Sequence, residues 1–372
     1  MPKLVRLALI SLVALLAVPA AAVRAATHMP IGFYDDASFR WSDERASNIE
    51  DAAAAGASVI HTTANWPQIA PKRPARPSNG DDPQYRLADL DELVANAAQN
   101  GMRVMINING TPRWANGGKT PNHMPKRLSD LTTFSRMLAD RYDGRHGHGT
   151  VKLWSVWNEP NLQLFLTPQF SGKKIVSPAN YAKLYKAAYA GIKGGNASAQ
   201  VAIGETSNLG RDKPIALSGQ GQSVAPGTFA RLLAQQKGLK FNAWATHPYP
   251  TRPNMKPLQI VRYPNVTIAL LPRFELDLKK LFHRSVPIWI TEYGHQTKPE
   301  QPYGVSYAQQ TAYVKEALRV TRADRNVQMF IWFTFRDSPG NAWKSGLAKT
   351  SGSHKPSYAA FSALARLIDP TS

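Results

Sequence analysis

The chain has 372 residues, 43% of them hydrophobic, no cysteine, and a formal net charge of +20. That length and hydrophobic share exclude wholesale disorder and leave room for one large domain or two modest ones. The missing cysteines exclude disulfides, thiol catalysis, Cys-ligated zinc and a lipoprotein anchor, so stability has to come from a packed core.

The first element is a leader. Lys3 and Arg6 precede an apolar run from Leu7 to Val18, which is followed by Pro19 and an alanine-rich stretch. Ala20-Ala21-Ala22 and Val23-Arg24-Ala25 both present a small-x-small cleavage pattern. Residues 1–26 therefore read as a signal peptide and the mature chain as secreted or extracytoplasmic. The apolar run is short for a bilayer span and no later run is longer, so no membrane association is expected after cleavage. Cleavage removes only Lys3, Arg6 and Arg24 from the charge balance. The remaining basic surplus favours anionic surfaces such as acidic polysaccharide or cell wall. Because the basic residues are scattered and no zinc-finger or RNA-recognition motif occurs, a nucleic-acid partner is not expected.

Beyond the leader, strand-like runs alternate with helix-like runs eight times. The strands are predicted at Met29 to Asp35, Ser58 to Asn65, Arg103 to Asn109, Val151 to Asn158, Gln200 to Thr206, Phe241 to Pro248, Pro287 to Tyr293 and Val327 to Arg336. All are apolar or β-branched, as strands buried on both faces must be. Between them, Leu87, Leu90, Val94, Ala97 and Ala98 repeat at helical spacing and Gly101 stops that helix. Tyr181, Leu184, Tyr185, Ala188 and Ile192 form a second stripe, with Ser177 as N-cap and Pro178 in the first turn. Leu271, Phe274, Leu278 and Leu281 form a third. Ser306 and Gln309 make a capping box ahead of a helix through Arg319, and Tyr358 to Ile368 forms the last. Alternation of this kind implies a parallel sheet covered by helices, and eight repeats favour a closed (β/α)8 TIM barrel in a single domain, residues 27–372. An open nucleotide-binding sheet would need a glycine-rich phosphate loop after an early strand. The Gly-x-Gly at Gly219 to Gly221 sits in a polar loop and reads as a turn.

Three long connections, Pro67 to Pro83, Asn208 to Pro226 and Tyr249 to Pro264, follow strands and so belong to the C-terminal face of a barrel. That is the face where barrel active sites sit, and these loops are expected to wall a cleft. Two glutamates stand at strand ends on the same face: Glu159 in Trp157-Asn158-Glu159-Pro160-Asn161 after the fourth strand, and Glu292 in Thr291-Glu292-Tyr293-Gly294 at the end of the seventh. Glycoside hydrolysis needs two carboxyl groups, one to protonate the leaving oxygen and one to attack or to activate water. A lone glutamate after a strand is more often a helix cap or a surface ion pair. Two, each within an aromatic-rich strand end, point to chemistry.

These motifs, with the eightfold order of elements, resemble clan A of the glycoside hydrolases, families 39 and 5 in particular. The resemblance implies a retaining mechanism with Glu159 as general acid/base and Glu292 as nucleophile. It further implies that Asn158 binds the 2-hydroxyl of the reacting sugar. In His247-Pro248-Tyr249, His247 lies in the site and Tyr249 orients the nucleophile. Trp332 is the implied aromatic floor beneath the sugar. Trp114, in a family 39-like loop, is a second platform, and Asn65 a polar rim residue. Asp35 and Glu205, at the ends of the first and fifth strands, are candidate sugar contacts, and Glu205 is also the main rival carboxylate. The second strand lacks the arginine that supports the nucleophile in family 5.

His146-Gly147-His148 precedes the fourth strand and so belongs to the opposite face, which argues against a metal role. There is no His-Glu-x-x-His zinc motif and no Gly-x-Ser-x-Gly elbow, and no cofactor is expected. Trp154 and Trp244 are expected to be packing. The sequence thus describes a hydrolase acting on a carbohydrate. The alternatives are a barrel that binds carbohydrate without turnover and a transglycosylase acting on wall glycan.

Overall fold

The structure, a computed structural model, describes residues 29–215, 221–299, 301, 303–340 and 343–369. The leader and Gly219 lie outside the described residues. Eight strands close into a parallel barrel: β1 (Ile31–Tyr34), β2 (Val59–Asn65), β3 (Arg103–Asn109), β4 (Leu153–Val156), β5 (Gln200–Ser207), β6 (Ala243–His247), β7 (Ile288–Tyr293) and β8 (Val327–Trp332). Their spatial order follows the sequence, and β1 pairs with both β2 (Gly32 opposite Val59) and β8 (Ile31 opposite Phe330). Gly32 permits that closure, because a Cβ there would fall 1.7 Å from the Val59 carbonyl oxygen. Each strand lies within four residues of its predicted bounds at either end. The largest excess is at β8, where the chain leaves the sheet after Trp332.

One long helix follows each strand: α1 (Arg45–Ala54), α2 (Ala88–Gln99), α3 (Leu128–Arg141), α4 (Ser177–Gly195), α5 (Pro226–Ala234), α6 (Leu271–Phe282), α7 (Tyr307–Ala323) and α8 (Pro356–Ile368). The Ser306–Gln309 capping box is present at the start of α7. At α4 the helix already includes Ser177, and Val176 occupies the cap position without a side-chain bond. A two-stranded hairpin, Phe170–Ser171 with Lys174–Ile175, decorates the connection after β4.

The two faces of the strands bury different things, as a period of two requires. Outward residues such as Ile60, Ile106, Trp154, Trp244 and Phe330 pack under the helices in one continuous core. Trp154 and Trp244 are fully buried there, as expected. Inward residues at the N-terminal end form a separate apolar plug of Val59, Met105, Leu153, Ala202, Ala243, Trp289 and Met329. Further along the same strands the inward positions turn polar and remain buried: His61, Asn107, Ser155, His247 and Thr291. The barrel is therefore dry at its N-terminal end and polar beneath its C-terminal mouth.

Candidate active site

The polar mouth is built by local departures from strand geometry. After β4 the backbone turns through the left-handed region at Trp157 (φ 71°) and Glu159 (φ 36°), a conformation costly for residues with a β-carbon. Side chains hold it there. The Asn107 amide donates to Ser155 Oγ at 3.0 Å and to the Trp157 carbonyl, and the Trp157 indole donates to the Phe165 carbonyl at 2.7 Å. Trp157 is wholly buried, so this tryptophan anchors the turn that delivers Asn158 and Glu159 to the cleft. Among the described residues Asn158, which is half-buried, has no side-chain hydrogen bond.

A second departure lies in β5. Gly204 pairs with Ala245 and Thr206 with Thr246, leaving Glu205 as an extra residue in a bulge, again left-handed at φ 46°. A bulge re-aims a side chain. Here it sends the Glu205 carboxylate toward β6 and β7, where Oε2 accepts from Thr291 Oγ1 at 2.6 Å and lies 2.9 Å from His247 Nε2.

His247 joins the carboxylates. Its Nδ1 lies 3.1 Å from Glu159 Oε1 and 3.7 Å from Glu292 Oε2. These distances keep the two oxygens within about 7 Å of each other, compatible with the ~5–5.5 Å of a retaining pair and at the lower end of the ~6.5–9.5 Å of an inverting one. Tyr249 donates its hydroxyl to Glu292 Oε2 at 3.2 Å. Both glutamates keep a little solvent access, 15% and 12% of the side chain, whereas His247 and Glu205 have none.

Burial pushes the Glu292 carboxyl up to about 7, helped by the negative charges of Glu159 and Glu205 and opposed by His247 and the Tyr249 hydroxyl. His247 is itself raised well above the usual imidazole range. Burial works against its charge, but the surrounding carboxylates of Glu292, Glu159 and Glu205 outweigh it. Although burial opposes ionisation of Glu205, its bond to His247 and the imidazolium charge leave it below the usual range. A Glu292 carboxyl raised this far can hold its proton near neutrality. Such an arrangement can give a proton to one side of a bond while offering an anion to the other.

Aromatic rings line the rest. Tyr34 packs on His61 at 4.4 Å and on Phe333 at 5.3 Å, and Tyr249 meets Trp343 edge-on at 5.4 Å. His61 sits behind them with Nδ1 3.0 Å from the Thr291 carbonyl.

The structure thus brings Glu159, Glu292, Asn158, His247, Tyr249 and Glu205 to one mouth, and it places several candidates differently from expectation. Trp332 is fully buried, donates to the Ser345 carbonyl at 2.9 Å and packs on Tyr293. The half-exposed ring just past that strand is its neighbour Phe333, which continues the inward alternation of Met329 and Ile331. Glu205 has no exposed surface and so supports the site from behind instead of touching a sugar. Asp35 is also buried. Its carboxylate accepts from the Ser38 amide and hydroxyl and from the amides of Phe335 and Arg336, closing the barrel seam, and burial pushes it up to about 6. Asn65 caps the single helical turn Trp66–Ile69. Trp114 pins two loops together, donating to the Ala70 carbonyl at 2.8 Å, meeting Trp66 edge-on and lying under Arg73. His146 stays at the opposite end beside Asp140 and Asp143, both of which Arg145 also approaches. Sequence reasoning missed Tyr34, His61, Phe333 and Trp343; strict alternation along β1, β2 and β8 identifies the first three.

Residues 73–370 match the profile of "Glycosyl hydrolases family 39". No curated protein matches the chain. Among solved structures, a family 39 glycoside hydrolase from Bacteroides cellulosilyticus is similar at TM-score 0.65 and 20% identity, over 92% of this chain and 64% of that one. A glucosidase from Croceicoccus marinus gives 0.69 and 14%, over 92% and 67%. A family 39 β-xylosidase from Caulobacter crescentus gives 0.66 and 18%, over 92% and 71%. The chain therefore spans roughly two thirds of the length of these proteins, and at such identities the likeness is one of fold.

Proposed function

The chain belongs to family 39 of the glycosyl hydrolases, a family of clan A, and on that premise we propose that it is a retaining glycosidase cleaving O-glycosidic bonds in an oligo- or polysaccharide. The observation that carries the reading is the pair of glutamates at the ends of β4 and β7, bridged by one buried histidine at the barrel mouth.

In the first step Glu292 attacks the anomeric carbon while Glu159 gives its proton to the glycosidic oxygen. The carbon–oxygen bond breaks, the aglycone leaves as an alcohol, and the sugar remains esterified to Glu292. In the second step Glu159, now a carboxylate, takes a proton from water as the water oxygen attacks the same carbon and releases Glu292. Tyr249 fixes the attacking oxygen of Glu292 through its 3.2 Å hydrogen bond. Asn158, next to the acid and with its amide free among the described residues, is placed for the 2-hydroxyl, a contact that strengthens in the transition state. The half-buried rings of Tyr34, Phe333 and Trp343 offer apolar faces to the sugar.

A 2-deoxy-2-fluoro glycosyl fluoride tests this directly, because it esterifies the nucleophile and then stalls. Peptide mass analysis should find the sugar on Glu292, and proton NMR of a turned-over substrate should show the anomeric configuration retained. Inverted product with no label would refute the assignment. Products extended by an added acceptor sugar would mark a transglycosylase using the same residues. The leader at residues 1–26 supports export; N-terminal sequencing of the protein recovered from outside the cytoplasm would locate the cleavage.

A further inference from the structure

We infer that Glu205 is a positioning residue of this site, whose work is to keep His247 doubly protonated with its Nδ1–H aimed between the two glutamates. The inference rests on the roles proposed for Glu159 and Glu292, and it starts from geometry. Both nitrogens of His247 face carboxylate oxygens, at 2.9 Å on the Glu205 side and at 3.1 and 3.7 Å on the side of Glu159 and Glu292. An ionised carboxylate only accepts, so a ring placed this way is satisfied when both nitrogens donate. Glu205 is the one of the three carboxylates with no solvent access, and it is delivered by a bulge in a left-handed conformation that a glutamate adopts only against steric cost. Thr291, the residue before Glu292, donates to the same Glu205 oxygen at 2.6 Å, so the support is tied to the strand that carries the nucleophile.

The arrangement has a purpose in the reaction. Negative charge sits on Glu292 before attack and on Glu159 after it. A single N–H lying between them serves whichever is charged without having to move far. That works only if the imidazole never surrenders its own proton, and a buried anion behind it prevents this. Among the described residues neither glutamate has a lysine or arginine nitrogen within 4.0 Å, so His247 is the cation of the site. The titratable groups that face it are Glu159 from the end of β4, Glu205 from β5, Glu292 from β7, Tyr249 beyond its own strand and His61 from β2. Burial and the His247 charge favour the neutral form of His61, while Glu205 opposes this.

The test needs no substrate in its first part. Imidazole nitrogen shifts of the 15N-labelled protein are followed against pH, with the His247 signals among the nine histidines identified by their loss in His247→Gln. The wild-type ring should remain an imidazolium well above the usual imidazole range. In Glu205→Gln, which keeps the shape and removes the charge, it should become neutral about one to three pH units lower. The alkaline limb of kcat/KM on a 4-nitrophenyl β-glycoside should move down with it. A purely structural role would lower activity at every pH without moving that limb. A wild-type ring already neutral at pH 7 overturns the inference whether or not the variant folds, and so does an unchanged titration in Glu205→Gln. Failure of the wild-type enzyme to turn over any glycoside or to take the fluoro-sugar label would instead count against the hydrolase reading, and the nitrogen shifts would still decide the state of His247.

Discussion

Two clusters of buried charge lie at the same end of this barrel, and they are built on opposite principles. Beside β1 and β2, Arg40 donates to Asp89 through two nitrogens, at 2.8 and 3.2 Å, and to Thr62 and the Thr63 carbonyl, with Asp36 3.5 Å away. Asp36 in turn accepts from the Thr62 hydroxyl and the Thr63 amide. A guanidinium cannot lose its proton here, and its planar donors nearly match the acceptors around it. Between β4 and β7, three glutamates share one imidazole, whose two N–H donors are too few for them. Balance with a permanent cation makes a strut. A shortage of donors around a titratable one leaves a carboxyl group whose proton can be exchanged, and that is what acid–base chemistry at neutral pH requires.

Removing a charged group from each cluster should therefore have opposite consequences. Glu292→Gln is expected to cut kcat/KM by about 10^4-fold or more, since nothing else can form the glycosyl ester. It should also stabilise the fold at alkaline pH. Burial raises the Glu292 carboxyl from 4.5 to about 7, so the folded state binds its proton more tightly than the unfolded state. The stability that this group contributes is then complete below about pH 4.5 and is lost as pH rises to about 7. Thermal unfolding at pH 8 should favour the glutamine variant by about 1–3 kcal/mol, with the difference gone at pH 4. Equal stability at both pH values would show that burial does not raise the Glu292 carboxyl.

Next in size is Glu159→Gln. The acid matters only when the leaving group is poor, so unactivated glycosides should lose about 10^2- to 10^4-fold, while aryl glycosides with acidic phenols lose far less in the first step. A uniform loss across leaving groups would remove Glu159 from the acid role. In the other cluster, Arg40→Met leaves Asp36 and Asp89 without their cation and should cost about 3–5 kcal/mol in denaturant unfolding. Activity per folded molecule should hardly change. A large fall in kcat with stability intact would mean that this cluster belongs to the site after all.

How far the sequence foretold this contrast follows from the range of each signal. The eight strands were legible because a buried parallel strand is an apolar run wherever it occurs, and β3 falls on its predicted bounds. Glu159 and Glu292 were legible because each sits in a short motif at a strand end. The function of Glu205 was not, because it depends on a one-residue bulge that has no composition of its own and appears only as a register shift against β6. Asp35 looked like a rim carboxylate for a similar reason: its partners Phe335 and Arg336 come from the other end of the chain. The resemblance assigns the floor to Trp332, although its neighbour Phe333 has the inward parity.

The finest distinction between the clusters is the single hydroxyl of Tyr249. In the strut, removing one donor among several would leave the charges where they are. In the reactive cluster, Tyr249 and His247 are the groups that pull the Glu292 carboxyl down against burial and its carboxylate neighbours. Tyr249→Phe keeps the ring, and with it the edge-on packing against Trp343, and deletes only the donor. Glu292 should then hold its proton more tightly, so the acidic limb of the pH profile should move to higher pH by up to about one unit. Above about pH 9, where Glu292 is ionised in both proteins, the loss of kcat/KM should shrink to the few-fold effect of one hydrogen bond, about 1 kcal/mol. If the acidic limb stays in place, the hydroxyl does not govern the ionisation of Glu292, and His247 alone sets the charge of the nucleophile.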